Sequence, residues 1–567
     1  MKKLILFLIL NCLAIEYIIG QNSFLQKQGT ATQLVVHGMP FLILGGELGN
    51  SSAACPQDIE RIFPKLKKMG LNTVLVPVYW DLTEPVEGQF DFTLTDKALQ
   101  QARENDLKIV FLWFGAWKNS MSCYAPLWFK ENHKKYPRAY TQSGKPLEIA
   151  SAFSEAVYEA DHRAFSQWMQ HIATVDKKEG TVIMIQIENE IGMLEDARDY
   201  SREANKIFNA PVPAEFMTYL NKKALHPQML KKWESQGCKK QGNWQEVFGA
   251  DIYTDEIFMA WHYAKYVEGL AQTARSIYNI PLYVNAAMNS RGRKPGEYPS
   301  AGPLAHLIDV WHCGAPSIDI LAPDLYDNGF TDWVAQYKLH NNPLFIPEIR
   351  LTDNNSVRAF YIFGEHDAIG ISPFSIEDGS DSPNSPLVQS YAKLTELMPL
   401  LTKYQGKGLM KGLLFDSENK ERIIADDDLT ITARHFFTLP WDSRATNGSI
   451  WPEGGGILLK LSKDEYIVAG SGIVLEFTKT SEKQTIEKQK QLGEDGFALK
   501  NDQIKTKHDK FKGMRCGIGY VDEVKVDKDG KLHYVRRLNG DQDHQGRHVR
   551  ISVGDFKILH VQLYEYQ

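Results

Sequence analysis

The sequence predicts an α/β protein, a (β/α)8 TIM barrel with a C-terminal antiparallel β-sandwich domain, on three observations. Eight short apolar runs bounded by turn signals are spread over residues 40–375. Helix-length amphipathic segments separate them, the pattern of a parallel sheet covered by helices. Beyond residue 407 the texture changes: stretches such as GILLKLSKDEYIVAGSGIVLEFTK and KILHVQLYEY alternate apolar and polar residues between turns, the signature of antiparallel strands.

In order, the runs are PFLILGGE (40–47), NTVLVPVYW (72–80), LKIVFLWFG (107–115), TVIMIQIENE (181–190), PLYVNAA (281–287), IDILAPDLY (318–326), PLFIPE (343–348) and AIGISPFS (368–375). After the first, Ile59, Ile62, Phe63, Leu66 and Met69 recur at helical spacing and Gly70 stops the pattern. Pro64 inside it predicts a bend. After the eighth, Pro386 opens a helix with Leu387, Tyr391, Leu394, Met398 and Leu401 on one face, and Gly406 closes it. Residues 191–255, after the fourth run, are too long for a simple loop and read as a helical, aromatic insertion on the barrel face where site rims are built, with plain decoration of the barrel as the equal alternative. The expected division is a catalytic barrel over residues 30–405 and an accessory sandwich over 408–567.

With 567 residues, 43% of them hydrophobic and 11% aromatic, the chain can bury a large core and more than one domain. A formal net charge of −6 and the lack of any Lys/Arg block argue against a nucleic-acid partner held by phosphate neutralisation. Lys2 and Lys3 precede an apolar stretch to residue 20, which reads as a signal peptide over residues 1–20 and export to the periplasm or the extracellular space. That stretch is short for a spanning helix, so no stable membrane span is expected, and Asn11 before Cys12 fits a lipid-attachment site poorly. Cys55, Cys123, Cys238, Cys313 and Cys516 have neither zinc-site nor disulfide spacing and read as isolated thiols.

In such a barrel the loops at the C-terminal strand ends carry the chemistry. Glu190 ends the fourth run and Glu348 the seventh, and strands four and seven lie nearly opposite each other, so the two carboxylates can face across the mouth. Glycoside hydrolysis requires such a pair: one carboxyl protonates the departing oxygen while the other, ionised, stabilises or attacks the anomeric carbon. A lone acid at a strand end is more often an ion-pair partner; Asn189-Glu190 after strand four combined with Glu348 after strand seven is far more specific.

At these residues the sequence resembles a known group. QIENEIG (186–192) resembles the Gln-Val-Glu-Asn-Glu-Tyr-Gly signature of glycoside hydrolase family 35, the β-galactosidases, in the clan of barrel glycosidases that retain anomeric configuration. LVPVYWDLTEPVEGQFDF (75–92) is similar to the Val-Pro-Trp-Asn-x-His-Glu-Pro-x-x-Gly-x-Phe-x-Phe segment of that family, and APDLY and PLFIPE fit its sixth and seventh strands. The resemblance, over roughly residues 30–405, implies Glu190 as general acid/base, Glu348 as nucleophile, Asn189 as a partner of the sugar C2 hydroxyl and Tyr326 as a donor to the nucleophile. A core or rim tyrosine is the other reading of Tyr326. Glu188, one residue before Asn189, is expected on the other side of the strand in a structural role.

Two departures stand beside the matches. GGELGNSS (45–52) replaces the Ser-Gly-x-x-His-Tyr type sequence of the first strand, and WFGAWKN (113–119) lacks the acid of the Ala-Glu-Trp segment after the third. Glu47 is expected to replace that acid as an acceptor for sugar hydroxyls, and Trp117 reads equally as a sugar-stacking platform or as core packing. The resemblance implies an exo-acting retaining β-galactosidase on plant-type oligo- and polysaccharides (xyloglucan, arabinogalactan or pectin side chains). Another retaining β-glycosidase of the clan (a β-glucosidase, β-xylosidase or arabinopyranosidase) and a non-catalytic carbohydrate-binding barrel are the alternatives. The chemistry calls for no metal or cofactor. The sandwich aromatics Trp441, Trp451 and Phe511 suit a core as well as a sugar platform, and a homo-oligomer is neither required nor excluded.

Overall fold

The computed structural model describes residues 22–338, 342–445, 447–483 and 511–567; the signal peptide expected over residues 1–20 lies outside them. All eight apolar runs form strands of one parallel sheet: β1 (Ile43–Leu44), β2 (Thr73–Tyr79), β3 (Lys108–Lys118), β4 (Val182–Asn189), β5 (Leu282–Ala287), β6 (Ile320–Leu325), β7 (Phe345–Ile349) and β8 (Gly370–Pro373). β1 pairs with β8, and the sheet closes on the other side through β2, where Leu75 N–H donates to Gly46 O at 2.9 Å and Leu48 N–H to Leu75 O at 3.0 Å. Every residue of β2, β4 and β7 is buried, so these strands read as unbroken apolar runs with no alternation.

A main helix follows each strand: α1 (Pro56–Lys68), α2 (Thr93–Glu104), α3 (Glu155–Asp176), α4 (Ile252–Ile277), α5 (Ile308–Gly314), α6 (Phe330–Tyr337), α7 (Asn355–His366) and α8 (Pro386–Tyr404), with short helices Trp80–Thr83 and Leu127–Glu131 before α2 and α3. α1 continues through Pro64 to Lys68, its buried face of Ile59, Ile62, Phe63 and Leu66 holding it in place. The segment after β4 carries four short helices, Arg202–Phe208, Ala214–Lys222, Pro227–Glu234 and Trp244–Phe248. They share an aromatic core with α4, in which Phe216 stacks on Trp261 with ring centroids 5.2 Å apart. Two features carried no sequence signal strong enough to read: a three-stranded sheet (Phe24–Gln28, Ala31–Val36, Met39–Phe41) and a hairpin (Arg138–Tyr140, Pro146–Ala150) between β3 and α3. No described helix is long and apolar enough to cross a membrane.

The chain divides into two compact units. One gathers the residues before 28 with 32–351 and 369–381; the other gathers 28–31, 352–368 and 382–567. The second unit therefore contains α7 and α8, which sequence order groups with the barrel. Its sheets are both antiparallel: six strands in the order Met410–Phe415, Gly454–Lys460, Glu465–Ser471, Lys557–Tyr566, Arg515–Val526, Leu532–Arg537, and four in the order Glu421–Asp426, Leu429–His435, Ile473–Lys479, Val549–Ile551. Leu413, Val468 and Val561 of the first meet Ile431, Leu475 and Ile551 of the second in one core, giving a sandwich. Trp451 is buried against His435, whereas Trp441 is half exposed.

α7 lies directly on the edge of the six-stranded sheet. A Cβ at Gly412 would stand 2.3 Å from the Tyr361 carbonyl oxygen, so only glycine permits this approach. Gly412→Ala should therefore destabilise the protein by roughly 1–3 kcal/mol in urea unfolding; an unchanged midpoint would mean that α7 does not rest on this strand.

Candidate active site

The site is built where β3 and β4 end. Glu188 and Glu190 both have left-handed backbone, φ 57° and 44°, an uncommon conformation for residues with side chains. Simple alternation would send Asn189 and Glu190 to opposite faces; the two left-handed residues reset the direction so that both reach the mouth. The bend is held by Asn119 N–H donating to Asn189 O (3.1 Å), Ser120 N–H to Glu190 O (3.1 Å) and Glu190 N–H to Asn285 Oδ1 (3.0 Å). β3 answers with a wide irregularity: Trp113 pairs with Ile187 but the next pairing is Lys118 with Asn189, so four residues of β3 bulge opposite one of β4. The bulge brings Lys118 level with Asn189. Gly192, just beyond, lies against Pro299, Ser300 and Ser120, where a Cβ would be 2.8 Å from the Pro299 carbonyl carbon. It lets the loops after β3, β4 and β5 close on one another.

Glu190, Asp324 and Glu348, from β4, β6 and β7, each place a carboxylate oxygen within 4.8 Å of the others. Glu190 and Glu348 are 5% and 4% exposed, and Asp324 is buried. The Tyr326 hydroxyl donates to Glu348 Oε1, and Asn119 Nδ2 donates to Glu190 Oε2. Asn285 Nδ2 donates to Asp324 Oδ2 at 2.6 Å, and Lys118 Nζ to Asn189 Oδ1 at 2.9 Å. Glu47 stands where the end of β1 bridges both β8 and β2; its carboxyl abuts that of Glu348 without a well-formed hydrogen bond from any protein group. Glu348 Oε2, Asp324 Oδ1 and Asn189 Nδ2 are also buried without protein partners. Unpaired buried polar atoms are costly, so this ring of them is suited to the hydroxyls of a ligand.

Burial, followed by repulsion from Glu190, pushes the Glu348 carboxyl up to about 7, against the Lys118 charge and the Tyr326 hydrogen bond that favour its ionised form. Burial and the neighbouring carboxylates, Glu348 first, hold Glu47 and Asp324 well above the usual range. Burial disfavours the charge on Lys118, but Glu348, Glu190, Glu47 and Asp324 outweigh it and raise its pKa above that of an ordinary lysine. Among the described residues, Glu190, Asp324 and Glu348 are the one group whose oxygens could together hold a metal ion. The Lys118 ammonium, which interacts with all three, already supplies the positive charge that an ion would bring.

Glu188 belongs to a second layer behind the mouth. Its Oε2 accepts from Trp117 N–H at 2.8 Å, and its other oxygen faces Asp161 on α3. Asp161 accepts from Trp113 Nε1 (3.0 Å) and Tyr266 OH (2.8 Å). Burial raises both carboxyls; the donors Trp113 and Tyr266 favour the charged form of Asp161, and the charge of Asp161 raises Glu188 further. A Cβ at Gly115 would lie 2.3 Å from Trp113 Nε1 and 2.7 Å from Asp161 Oδ1, so glycine is required beside the pair.

The mouth thus brings together Glu190, Glu348, Asn189, Tyr326 and Glu47. Trp117 is a correction: it is fully buried on the far side of β3, edge-on to Tyr266 and Tyr263 of α4 with centroids 4.7 and 5.4 Å away, and is no sugar platform. Its backbone N–H ties it to Glu188, which turns it away from Lys118. Sequence reading missed Lys118, Asn119, Asn285, Asp324 and Asp161. For Asn285 and Asp324 the signal was present, a single polar residue near the C-terminal end of an apolar strand, the same signal that marks Glu190.

Residues 33–265, containing β1 to β4, match the family described as Glycosyl hydrolases family 35. This part of the chain is similar to glycosyl hydrolases family 35. The family 35 segment holds Glu47, Lys118, Asn189 and Glu190; residues 387–550 match a separate domain of unknown function, DUF5597. No curated protein matches the chain in sequence. Among solved structures, the β-galactosidase of the psychrophilic Marinomonas ef1 is 12% identical over 63% of this chain and 60% of its own, with a TM-score of 0.43. The polyextremophilic β-galactosidase of the Antarctic haloarchaeon Halorubrum lacusprofundi is 15% identical over 62% and 58%, also at 0.43. The chain spans about 60% of the length of these structures, and likeness at this level carries nothing about its substrate.

If Glu188 shares a proton with Asp161, glutamine should replace it, since its amide can accept from Trp117 N–H and donate to Asp161. Glu188→Gln should cost about 1 kcal/mol or less, while Glu188→Ala should cost about 2–4 kcal/mol in chemical unfolding. Equal losses would mean that no proton is held between the two carboxyls.

Proposed function

We propose that this protein is an exo-acting retaining β-galactosidase that removes terminal non-reducing β-D-galactosyl residues by double displacement. The observation that carries the reading is the approach of Glu190 and Glu348 oxygens to within 4.8 Å. Retaining pairs stand about 5–5.5 Å apart, whereas inverting pairs leave about 6.5–9.5 Å for a water. Exo action is supported by the burial of both carboxylates, since only a sugar entering endwise can reach them.

In the first step a Glu348 oxygen attacks the anomeric carbon as the bond to the aglycon oxygen breaks, and that oxygen takes its proton from Glu190. In the second, water gives a proton to Glu190, attacks the same carbon and displaces Glu348, restoring the starting configuration. Asn189 Nδ2 donates to the hydroxyl beside the reacting carbon, and Glu47 and Asp324 offer oxygens to other hydroxyls. Plant-type side chains of xyloglucan, arabinogalactan or pectin as the natural substrate, and export directed by residues 1–20, belong to the same proposal. Another retaining β-glycosidase, for glucose, xylose or arabinopyranose, is the second reading, favoured by Lys118 standing in the segment where the family 35 pattern has an acid.

The deciding experiment is hydrolysis of p-nitrophenyl β-D-galactoside beside the glucoside, xyloside and arabinopyranoside. Selective galactoside turnover should fall about 10³-fold or more in Glu190→Ala and Glu348→Ala, and azide should rescue the two variants to products of opposite anomeric configuration. Turnover of a different sugar would move the specificity to the second reading, and rescue to the same anomer would refute the assigned roles.

Because Glu348 must be ionised to attack and its carboxyl is pushed up to about 7, kcat/KM should fall about tenfold per pH unit below that value. Tyr326→Phe removes a bond that favours the ionised form, so the acid limb should move to higher pH. An unmoved limb would exclude Tyr326 as a partner of the nucleophile.

A further inference from the structure

The end of β3 lacks the acid of the family 35 pattern and carries a cation, Lys118, one residue after Trp117. Lys118 is 3% exposed, and its Nζ stands 2.9 Å from Asn189 Oδ1. An ammonium has no lone pair to accept with, so it fixes which way the Asn189 amide is turned: oxygen toward Lys118, NH2 away from it. Nδ2 of Asn189 is buried and has no protein partner. Around Nζ stand Glu47, Glu190, Asp324 and Glu348, brought by four different strands.

We propose that Lys118 is a positioning residue of the active site, which aims the Asn189 amide at the hydroxyl next to the anomeric carbon and offsets the charge of the surrounding carboxylates. The assignment rests on the glycosidase reading. It gives the departure at the end of β3 a physical content: a segment without the acid carries a cation that fixes the orientation of a donor amide. Glu348 also feels this charge, together with Glu47, Glu190, Asp324, Tyr326 and, from β5, Tyr283. Of these groups Lys118 is the one cation.

The test compares Lys118→Met, which keeps the length of the stem, Lys118→Arg, which keeps the charge, and Asn189→Ala, each on the aryl β-glycoside that the wild type hydrolyses and on its 2-deoxy counterpart. On the pH plateau above the acid limb, Lys118→Met should lower kcat/KM about 10²-fold on the parent glycoside and far less on the 2-deoxy glycoside. On that plateau the double variant Lys118→Met/Asn189→Ala should be no worse than Asn189→Ala alone. The acid limb of Lys118→Met should move to higher pH; that of Lys118→Arg should stay while its preference for the 2-hydroxyl weakens. If the Met variant does not fold, the loss of that preference in the Arg variant decides. Equal losses on both substrates with an unmoved acid limb would make Lys118 merely structural and overturn the assignment alone. A wild type inert to every aryl glycoside would overturn the glycosidase reading and this assignment with it.

Discussion

The constraint on which the rest of the site depends is the crowding of acids in a place that water hardly reaches. Glu190, Asp324 and Glu348 bring oxygens within 4.8 Å of one another, and Glu47 abuts Glu348. At an effective dielectric constant of about 20, two charges at that separation repel by about 3–4 kcal/mol, so all four cannot be ionised together. The structure answers with two devices. Burial and mutual repulsion raise the carboxyls of Glu47 and Asp324 toward their neutral forms, and a single ammonium, Lys118, is placed among them. Neither device suffices alone. Protonation of every acid would leave no nucleophile, and one cation cannot balance four anions. What survives is a mixed state in which Glu348 stands near its point of ionisation, held there by burial on one side and by Lys118 and Tyr326 on the other.

That arrangement needs backbone geometry that regular strands do not supply. A β-strand shows alternate residues to one face, so a plain β4 could present Glu188 and Glu190, or Asn189, but not Asn189 and Glu190. The left-handed residues at Glu188 and Glu190, with the four-residue bulge of β3 opposite, break the alternation where the chemistry needs it. Such strain persists only when its surroundings over-determine it. Here the hydrogen bonds of Asn119, Ser120 and Asn285 hold it from two neighbouring strands.

The architecture was legible because burial on both faces leaves a strong mark on composition, and all eight barrel strands lie where apolar runs stand. Glu190 and Glu348 were legible for a related reason, since a carboxylate closing an apolar strand must have a use. The rest of the mouth was not. Lys118 and Asn119 follow a run that reads as uninterrupted strand, and only the bulge, which no local propensity announces, brings them to Asn189 and Glu190. The same bulge buries Trp117 against α4, where a regular strand could have aimed it at the mouth. Asp161 was out of reach because its partner Glu188 lies 27 positions away, on another element.

The two acids of Glu188-Asn189-Glu190 show how far neighbours in sequence can differ in task. Glu190 opens on the mouth, where its carboxylate meets Asn119 and the acids of β6 and β7. Glu188 turns outward, where burial raises its carboxyl, and stands between Trp117 of β3 and Asp161 of α3. This outward bond pins the bulge from behind while Asn119 and Ser120 pin it from in front, so the position of Lys118 is fixed from both sides. A charge at Glu188 would add a further anion behind a mouth that already holds more acids than it can ionise. The upward shift of its carboxyl runs against that charge, and its bond to Trp117 places the buried carboxyl pair of the outer layer in the service of the catalytic one.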